Sequence, residues 1–456
     1  MDSLGKTITL ILVLIITFST PISKPFGLAQ TATNESGVIY SDTTWTEASS
    51  PYSLAGPVAV NQGVTLTIEP GTTINLNNYY IQVNGTLVAK GTSASQIQFI
   101  GGSTIGITFT SLSNNWNEQT GSGCIIQNAI IEPNLQIFES SVKIDHSTVS
   151  GSFTVGGSSI VTDNNLTGGA SVLGSATLSN NIISGTLSNG PGAVVPVVSV
   201  SSGSSPNSLP TIANNQIYGS PNSDETSNIG IACNGYASII NNTLTGCEEG
   251  IRIYSSQTTG FPIIKQNVIN NNQAGIVIQA SESAQSPASN SPLIEENLIT
   301  NNTNGISVEA YGGIVTPAIL NNNIYQNSHN LSWELPNNID VTNNWWGTTD
   351  LQAINATIYD NKNDFNLGTV NFVPFLTAPN PQAPNLNTPM PTPSPSSSPT
   401  PTVISTSSTP STPEFPSAIC LILIIITSTI GILAYRRKLK HPLFSCYSFN
   451  LVDDET

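Results

Sequence analysis

A short pattern of apolar and polar positions recurs through the middle of the chain. An apolar residue comes first, an asparagine follows three positions later, and a second apolar residue comes two positions after that, as in IINNTL at 239–244. The clearer copies lie 22 to 30 residues apart, a period that indicates a solenoid of stacked repeats. The framed asparagines are Asn215, Asn242, Asn267, Asn297, Asn322 and Asn344, and weaker copies place Asn128, Ser147, Asn164 and Asn181 in the same frame.

A second element follows the asparagine and begins with glycine, as in GIAC, GIRI, GIVI and GISV from Gly230, Gly250, Gly275 and Gly305. Its alternation of apolar and other residues is typical of a strand that buries one face. Copies in register pair parallel strands about 4.8 Å apart, which predicts an all-β, single-stranded parallel β-helix of roughly thirteen coils. The inward positions are Ile251, Ile276, Ile306 and Cys233.

The sequence predicts two ladders, which are stacks of polar side chains at equivalent turn positions of successive coils. Stacked asparagines of the first frame can hydrogen-bond along the axis and satisfy turn backbone. Asn272, Asn302 and Asn327 form the second ladder, in which Cys247 replaces asparagine. Because Cys233 points inward and Cys247 sits at a turn, we expect no disulfide between them.

The two ends of the chain predict export and a membrane anchor. Residues 1–30 have a basic residue, an apolar run and then prolines, which indicates a signal peptide, although an uncleaved anchor is the alternative. Residues 418–435 are uncharged and long enough, at roughly 27 Å, to cross a bilayer. The basic cluster that follows predicts a cytoplasmic tail over 436–456.

Between these ends we expect an N-terminal extension at 31–44, the β-helix at 45–376 and a Pro/Ser/Thr-rich stalk at 377–417. Such a stalk cannot bury a core and favours extended polyproline II. The β-helix is therefore expected outside the cell, lifted from a membrane that the chain crosses once.

Three stretches resemble the right-handed parallel β-helix proteins of the pectin-lyase-like type, in particular the carbohydrate-binding and sugar-hydrolase repeat proteins. They are SPYSLAGPVAVNQGVTLTIEPGTTINL at 50–76 with VNGTLVAKGT at 83–92, the repeated frames, and NNWWGTTD at 343–350 with the residues up to 376. The resemblance implies a right-handed coil and a link to polysaccharides. PEFPS at 413–417, the apolar segment and the basic cluster resemble archaeal C-terminal surface-anchoring tails, although this chain extends further.

Catalytic motifs of that family are missing between residues 45 and 376. Its short hydrolase signatures (Asn-Thr-Asp, Asp-Asp, Gly-His-Gly and Arg-Ile-Lys) do not occur there. Arg252 is the nearest candidate base, with Ala232, Val277 and Ser307 as its predicted neighbours on adjacent coils. The next outward row is a polar stripe that could bind sugars or be an ordinary solvated face; it comprises Asn234, Tyr254, Gln279 and Glu309.

Calcium is the one candidate cofactor. Asp360, Asp364 and Asn366 place several oxygen ligands in a short segment, as a hard cation requires, while an Asx-rich turn is the alternative. Glu295 is predicted to pair with Lys265 on the preceding coil, with Glu296 facing the other side of the strand. Candidate N-glycosylation sites begin at Asn34, Asn84, Asn165, Asn241, Asn301, Asn330 and Asn355.

The net charge of the chain argues against one functional class. The net charge of −16 argues against nucleic-acid binding, because an acidic body repels phosphates. The sequence therefore favours a surface-displayed, non-enzymatic protein that contacts polysaccharide or envelope glycans, mediates adhesion or supports the envelope. A surface-anchored polysaccharide lyase or glycoside hydrolase is the alternative. A copper-handling β-helix is disfavoured, since only His146 and His329 are expected outside the cell as imidazole ligands.

Overall fold

A computed structural model describes residues 32–386 except 103–104, 186–194, 204–207, 220–227, 256–258, 284–285 and 288. The predicted signal peptide, membrane segment, cytoplasmic tail and most of the stalk lie outside these residues. Within them, no helix is long and apolar enough to cross a membrane.

The chain coils into a right-handed parallel β-helix. A typical turn contributes one strand to a 12-stranded sheet, called sheet 1, and two strands to a 26-stranded sheet, whose two rows of parallel strands we call sheets 2 and 3. Sheet 1 has twelve strands, so the coil makes about the number of turns expected from the repeats. These strands are β2 (Thr43–Trp45), β4 (Thr65–Ile68), β7 (Thr86–Lys90), β10 (Ile125–Gln127), β13 (Lys143–Asp145), β16 (Ile160–Thr162), β19 (Thr177–Ser179), β22 (Thr211–Ala213), β25 (Ser238–Ile240), β29 (Ile263–Lys265), β34 (Leu293–Glu295) and β38 (Ala318–Leu320).

Sheets 2 and 3 follow sheet 1 in every coil. Sheet 2 contains β5 (Thr73–Asn75), β8 (Ile97–Ile100), β11 (Ala129–Ile131), β14 (Thr148–Val149), β17 (Asn165–Leu166), β20 (Ile182–Ile183), β23 (Gln216–Tyr218), β26 (Thr243–Thr245), β30 (Val268–Asn270), β35 (Leu298–Thr300) and β39 (Asn323–Tyr325). Sheet 3 contains β6 (Ile81–Val83), β9 (Ile107–Phe109), β12 (Leu135–Ile137), β15 (Phe153–Val155), β18 (Ala170–Leu173), β21 (Val195–Gly203), β24 (Asn228–Gly235), β27 (Glu249–Ser255), β31 (Ala274–Ser283), β36 (Asn304–Tyr311), β40 (His329–Trp333) and β42 (Ile358–Tyr359).

Shorter elements lie at the two ends of the coil and along one of its edges. β1 (Thr33–Ile39) pairs with β3 (Tyr52–Val60), which runs through both sheets 2 and 3. The remaining elements are a 3₁₀ turn (Glu47–Ser49), β28 (Thr259–Gly260), β32 (Ser286–Pro287), β33 (Ser289–Asn290), β37 (Ile314–Val315), β41 (Ile339–Asp340), α1 (Leu351–Ala356) and β43 (Val370–Asn371).

Both ends of the coil extend past the residues expected from the sequence. β1 pairs in parallel from Thr33, within the predicted N-terminal extension. At the other end Asn380 binds the last coil, because its backbone N–H donates to Asn323 Oδ1 at 2.8 Å and its amide donates to the Asn321 carbonyl. The first residues of the predicted stalk therefore pack against the closing coil.

The inward register is confirmed. Ile251, Ile276 and Ile306 pair directly with one another on β27, β31 and β36, and all three are fully buried. Cys233 is buried in the same core, and both it and Cys247 are free thiols, as predicted. Burial raises the pKa of Cys233 to about 12, so its thiol stays protonated and packs as an apolar group.

The asparagine ladder runs along the turn from sheet 1 to sheet 2. Asn267 illustrates the hydrogen bonds of one ladder position. Its Oδ1 accepts from the backbone N–H and from the side-chain amide of Asn242, at 2.9 and 3.0 Å. Its Nδ2 lies 2.9–3.0 Å from three acceptors, which are the carbonyl oxygens of Ile239 and Lys265 and Oδ1 of Asn297. Each buried amide thus satisfies both of its neighbours and the turn backbone. The second ladder links Cys247, Asn272, Asn302 and Asn327 in the same way.

The residue before each ladder position has a left-handed backbone conformation. This feature shows that one of the predicted ladder positions is wrong. Asn128 has φ of +48° and stands in this preceding position, whereas Ala129 occupies the ladder and donates its N–H to Ser147 Oγ. The sequence frame was therefore shifted by one residue at its N-terminal end.

Glu296 also has a positive φ, which turns its carboxylate to within 3.3 Å of Lys265 Nζ. The predicted pair of Lys265 with Glu295 lies beside it, at 2.8 Å. The expectation that Glu296 faces the opposite side is wrong, because it lies in a turn.

Candidate functional site

Several long strands lie next to one another in sheet 3 of the C-terminal coils. β24, β27, β31 and β36 have seven to ten residues each, whereas most strands of sheets 1 and 2 have three. We call the outward side chains of β24, β27, β31, β36, β40 and β42 the long-strand face.

Parallel pairing arranges these outward side chains in rows across the coils. The predicted neighbours of Arg252 are confirmed, and the row continues to the C-terminal coils; it reads Ala232, Arg252, Val277, Ser307, Ser332 and Tyr359. Four members of this row are less than one-tenth exposed, namely Ala232, Val277, Ser307 and Ser332. In the next row Tyr254 pairs with Gln279, which pairs with Glu309. Asn234 lies two positions after Ala232 on β24 and pairs with Ser201 of β21.

Arg252 is engaged by a carboxylate that the strand pattern did not predict. Glu249, three residues earlier on the same strand, accepts from both Nε and Nη2 of Arg252, and both side chains are less than one-fifth exposed. Such a fork holds the guanidinium in one orientation and neutralises its charge. Arg252 therefore suits hydrogen bonding to a neutral ligand better than capture of a free anion.

Two phenols and a carboxylate form the polar centre of the long-strand face. Tyr311 donates its hydroxyl to Glu309 Oε2 at 2.6 Å, and Gln279 Nε2 approaches the same oxygen at 3.5 Å. The hydrogen bond to Glu309, together with its charge, raises the pKa of Tyr311, and burial raises the pKa of Tyr254. Both phenols thus remain hydrogen-bond donors at neutral pH, and the residue Tyr311 is 63% exposed.

A concave pocket of about 430 Å³ lies at the C-terminal end of this face. It is lined by Asn304, His329, Ser332, Glu334, Tyr359, Asp364 and Leu367. His329 packs edge-on against the ring of Tyr359, and Ser332 donates to Glu334 at 3.1 Å. Within the described residues, no hydrogen bond joins His329 to either carboxylate, so the pocket contains acid and base groups without an assembled dyad.

Sequence reasoning did not find this pocket because its residues come from three separate segments. Glu334 follows β40, Tyr359 belongs to β42, and Asp364 lies in the turn after it. The usable signal was His329, which pairs with Asn304 across β36 and β40.

The residues predicted to bind calcium are used in other ways. Asp360 is buried, which opposes its ionisation, but hydrogen bonds from Lys362 and from the Val370 N–H outweigh burial and hold its pKa below the ordinary value. Asp364 instead accepts from the backbone and the side-chain amide of Asn366 at 3.0 and 2.8 Å. At Asp360 a cation would have to replace the Lys362 ammonium group, and calcium binding stays a prediction.

Most of the candidate glycosylation sites are accessible, but one is not. Asn34, Asn165, Asn241, Asn301 and Asn355 are exposed and Asn84 is half-buried. Asn330 is 2% exposed, accepts from Asn327 and donates to Thr357 Oγ1 at 3.0 Å. The folded chain has no room for a glycan at Asn330.

A second groove, of about 690 Å³, lies on sheet 1 between β4, β7, β10 and the loop before β10. Lys90 lines it and lies 5.7 Å from the centre of the Trp116 ring, while Lys143 lies 5.5 Å from the same ring and binds Glu118. The two ammonium groups hold Trp116 against the sheet. The Trp116 ring therefore takes part in the contact between this loop and sheet 1.

Comparisons with known proteins found weak similarity to solved structures. No family model matches the chain, and no curated protein matches it. Two crystal structures of a periplasmic alginate epimerase, one of a point mutant, are similar to it. The mutant aligns at 12% identity over 74% of this chain and 84% of its own, with a TM-score of 0.38; the other aligns at 13% identity over 61% and 84%, with a TM-score of 0.27. Similarities this weak do not indicate a shared activity.

Proposed function

We propose that this chain is a cell-surface protein whose long-strand face binds glycans without cleaving them. The observation that carries the proposal is the set of aligned rows containing Arg252, Tyr254, Gln279 and Glu309. Donors, acceptors and aromatic rings alternate there on a rigid parallel sheet, and saccharide hydroxyls require that mixture. Rows repeat at about 4.8 Å, a spacing similar to the length of one pyranose unit.

Charge on the face points to a neutral glycan. Arg252 is neutralised by Glu249, while Glu309 and Glu334 add negative charge beside it. A polyanionic sugar would meet repulsion there, as nucleic acid would on a chain of net charge −16. Membership of the carbohydrate-binding and sugar-hydrolase repeat family, which the sequence frames suggest, is part of the proposal and fits a polysaccharide ligand.

Substitution on the face is expected to weaken glycan binding. The full-length chain is screened on a glycan array, and the best ligand is titrated against Tyr254→Ala and Glu309→Gln. Losing one aromatic contact or one charged acceptor should lower the affinity about tenfold. Gln82→Ala, an outward change on β6 of the same sheet, serves as the matched control and should bind like the parent. Absence of any glycan ligand, or equal binding by all variants, would refute the proposal.

A polysaccharide lyase or hydrolase is the second candidate, and the pocket that contains His329, Glu334 and Asp364 favours it. Incubating the full-length chain with the array ligands and measuring released oligosaccharides separates the two functions. Under our proposal the ligand binds and stays intact. Cleavage that disappears in His329→Asn would instead establish the enzyme.

Surface display requires a defined topology, with the β-helix outside and residues 436–456 in the cytoplasm. Protease added to intact cells is expected to remove the β-helix and leave a small membrane-bound fragment that carries the C-terminus. A C-terminal epitope tag identifies that fragment, and permeabilised cells provide the control in which the tag is also lost. A β-helix that survives the protease on intact cells, while being digested in permeabilised cells, would overturn this topology.

A further inference from the structure

Three metal-ligating side chains converge at the corner between sheets 1 and 2, away from the long-strand face. Asp145 ends β13, His146 follows it, and Asp163 occupies the position of His146 one coil further on. One ligand atom from each lies within 4.8 Å of the other two.

This corner departs from the rest of the coil in its chemistry. The left-handed position before the ladder holds asparagine in the neighbouring coils, at Asn128, Asn180 and Asn214. His146 and Asp163 have the same left-handed φ, +48° and +58°, so the backbone is shared while the side chains differ. The turn does not need these residues, because asparagine serves it elsewhere.

The buried carboxylate of Asp145 is a separate indication of a cation. Its residue is only 7% exposed, its Oδ2 accepts from Gln127 Nε2 at 3.1 Å, and its Oδ1 contacts His146 Nδ1. Lys143 on the same strand directs its ammonium group to Glu118 at 2.9 Å. Within the described residues, the one side chain that can offer Asp145 a positive charge is His146, and it does so only when its imidazole is protonated. Burying a carboxylate without a cation is costly. Asp163 adds a second negative charge close by.

We propose that Asp145, His146 and Asp163 bind one divalent transition-metal ion such as Zn²⁺ or Mn²⁺. An imidazole with two carboxylates suits these ions, whereas Ca²⁺ and Mg²⁺ prefer oxygen ligands alone. With metal–ligand distances of about 2.1 Å, the ligand atoms of a tetrahedral ion lie about 3.4 Å apart, so side-chain rotations would have to bring these three groups closer together. Waters complete the coordination on the exposed side.

Neighbouring polar groups hold both carboxylates in place. Gln127 binds Asp145 from the preceding coil, and Thr162 Oγ1 donates to Asp163 Oδ2 at 2.9 Å. Partners of this kind orient metal ligands in known sites. Because Asp145 and His146 lie on one coil and Asp163 on the next, the ion would fasten β13 and β16 at their C-terminal ends.

The test is a titration of the tag-free, full-length chain with ZnCl₂ and MnCl₂ after treatment with a chelator. We expect one ion per chain by calorimetry, and a melting temperature that rises with metal concentration. His146→Asn and Asp163→Asn place at each position the residue that neighbouring coils already carry, so both variants should fold. Each should lower the affinity at least tenfold and abolish the metal-dependent rise in melting temperature. Asp340→Asn, which removes an exposed carboxylate near the closing coil, is the control and should bind like the parent.

Two results would overturn the site. One is a parent chain that binds neither Zn²⁺ nor Mn²⁺ at 1:1 stoichiometry. The other is equal binding by the parent and by folded His146→Asn and Asp163→Asn variants, which would place the ion elsewhere. Neither result depends on glycan binding, so this site can fail while the proposed function stands.

Discussion

Replacing Asn267 by leucine is expected to lower the free energy of unfolding by about 3–5 kcal/mol. The substitution removes the acceptor for two donors of Asn242 and the donor for the carbonyls of Ile239 and Lys265, all in the buried turn. Each buried group left without a partner costs about 1–3 kcal/mol. Leucine recovers some apolar burial, but it cannot satisfy backbone groups. Chemical denaturation of the parent and variant measures the loss.

Asn272→Ser is the matched comparison in the second ladder and should cost clearly less. A serine hydroxyl can still accept the Cys247 N–H, as Ser147 Oγ accepts the Ala129 N–H in the first ladder. Hydrogen exchange should quicken first around residue 267 in the leucine variant, since stability in a stacked array depends on nearest neighbours. Equal losses of stability, or faster exchange around residue 272 than around residue 267, would show that the first ladder does not stabilise the coil more than the second.

Replacing Gly275 by alanine is expected to destabilise the coil by about 2–3 kcal/mol and lower its melting temperature by several degrees. A Cβ on Gly275 would lie 2.5 Å from the Gly305 carbonyl oxygen and 3.1 Å from a methyl group of Ile299. The first of these atoms belongs to the backbone of the next coil, so the two coils would have to separate. Thermal unfolding followed by circular dichroism reports the change.

Gly102→Ala is the control for that substitution. A Cβ at Gly102 meets nothing within 4 Å, so its melting temperature should stay within about one degree of the parent. If Gly275→Ala were equally harmless, the close approach of β31 and β36 at their first residues would be wrong.

Much of the fold could be predicted because the repeat encodes it twice, in the asparagine frame and in the glycine that begins each long strand. Two periodic signals in one register fix which side chains point inward, and Ile251, Ile276 and Ile306 pair as that register requires. The pattern failed where copies are weak. Asn128 fits the letters of the frame, but the ladder position belongs to Ala129, since a short polar residue can occupy either of two adjacent turn positions.

The candidate site was predictable only along single rows of the sheet. Strand alternation placed Tyr254, Gln279 and Glu309 in one row, yet it could not show that Glu249 binds Arg252, because that contact depends on how the strand begins. Glu334 and Asp364 join His329 through loops whose course no periodicity encodes. Glu296 was misplaced for a related reason, since it lies in a left-handed turn and not in a strand.

Hydroxyl-radical footprinting of the full-length chain, with and without its best array glycan, tests whether the long-strand face is the glycan-binding surface. We expect the glycan to protect Tyr254, Tyr311, His329 and Tyr359 on the long-strand face. Tyr40, Tyr79 and Tyr218 are exposed elsewhere on the coil and should be oxidised equally in both samples. Protection of these three tyrosines, with the long-strand face oxidised as in the free protein, would show that the glycan binds elsewhere on the coil.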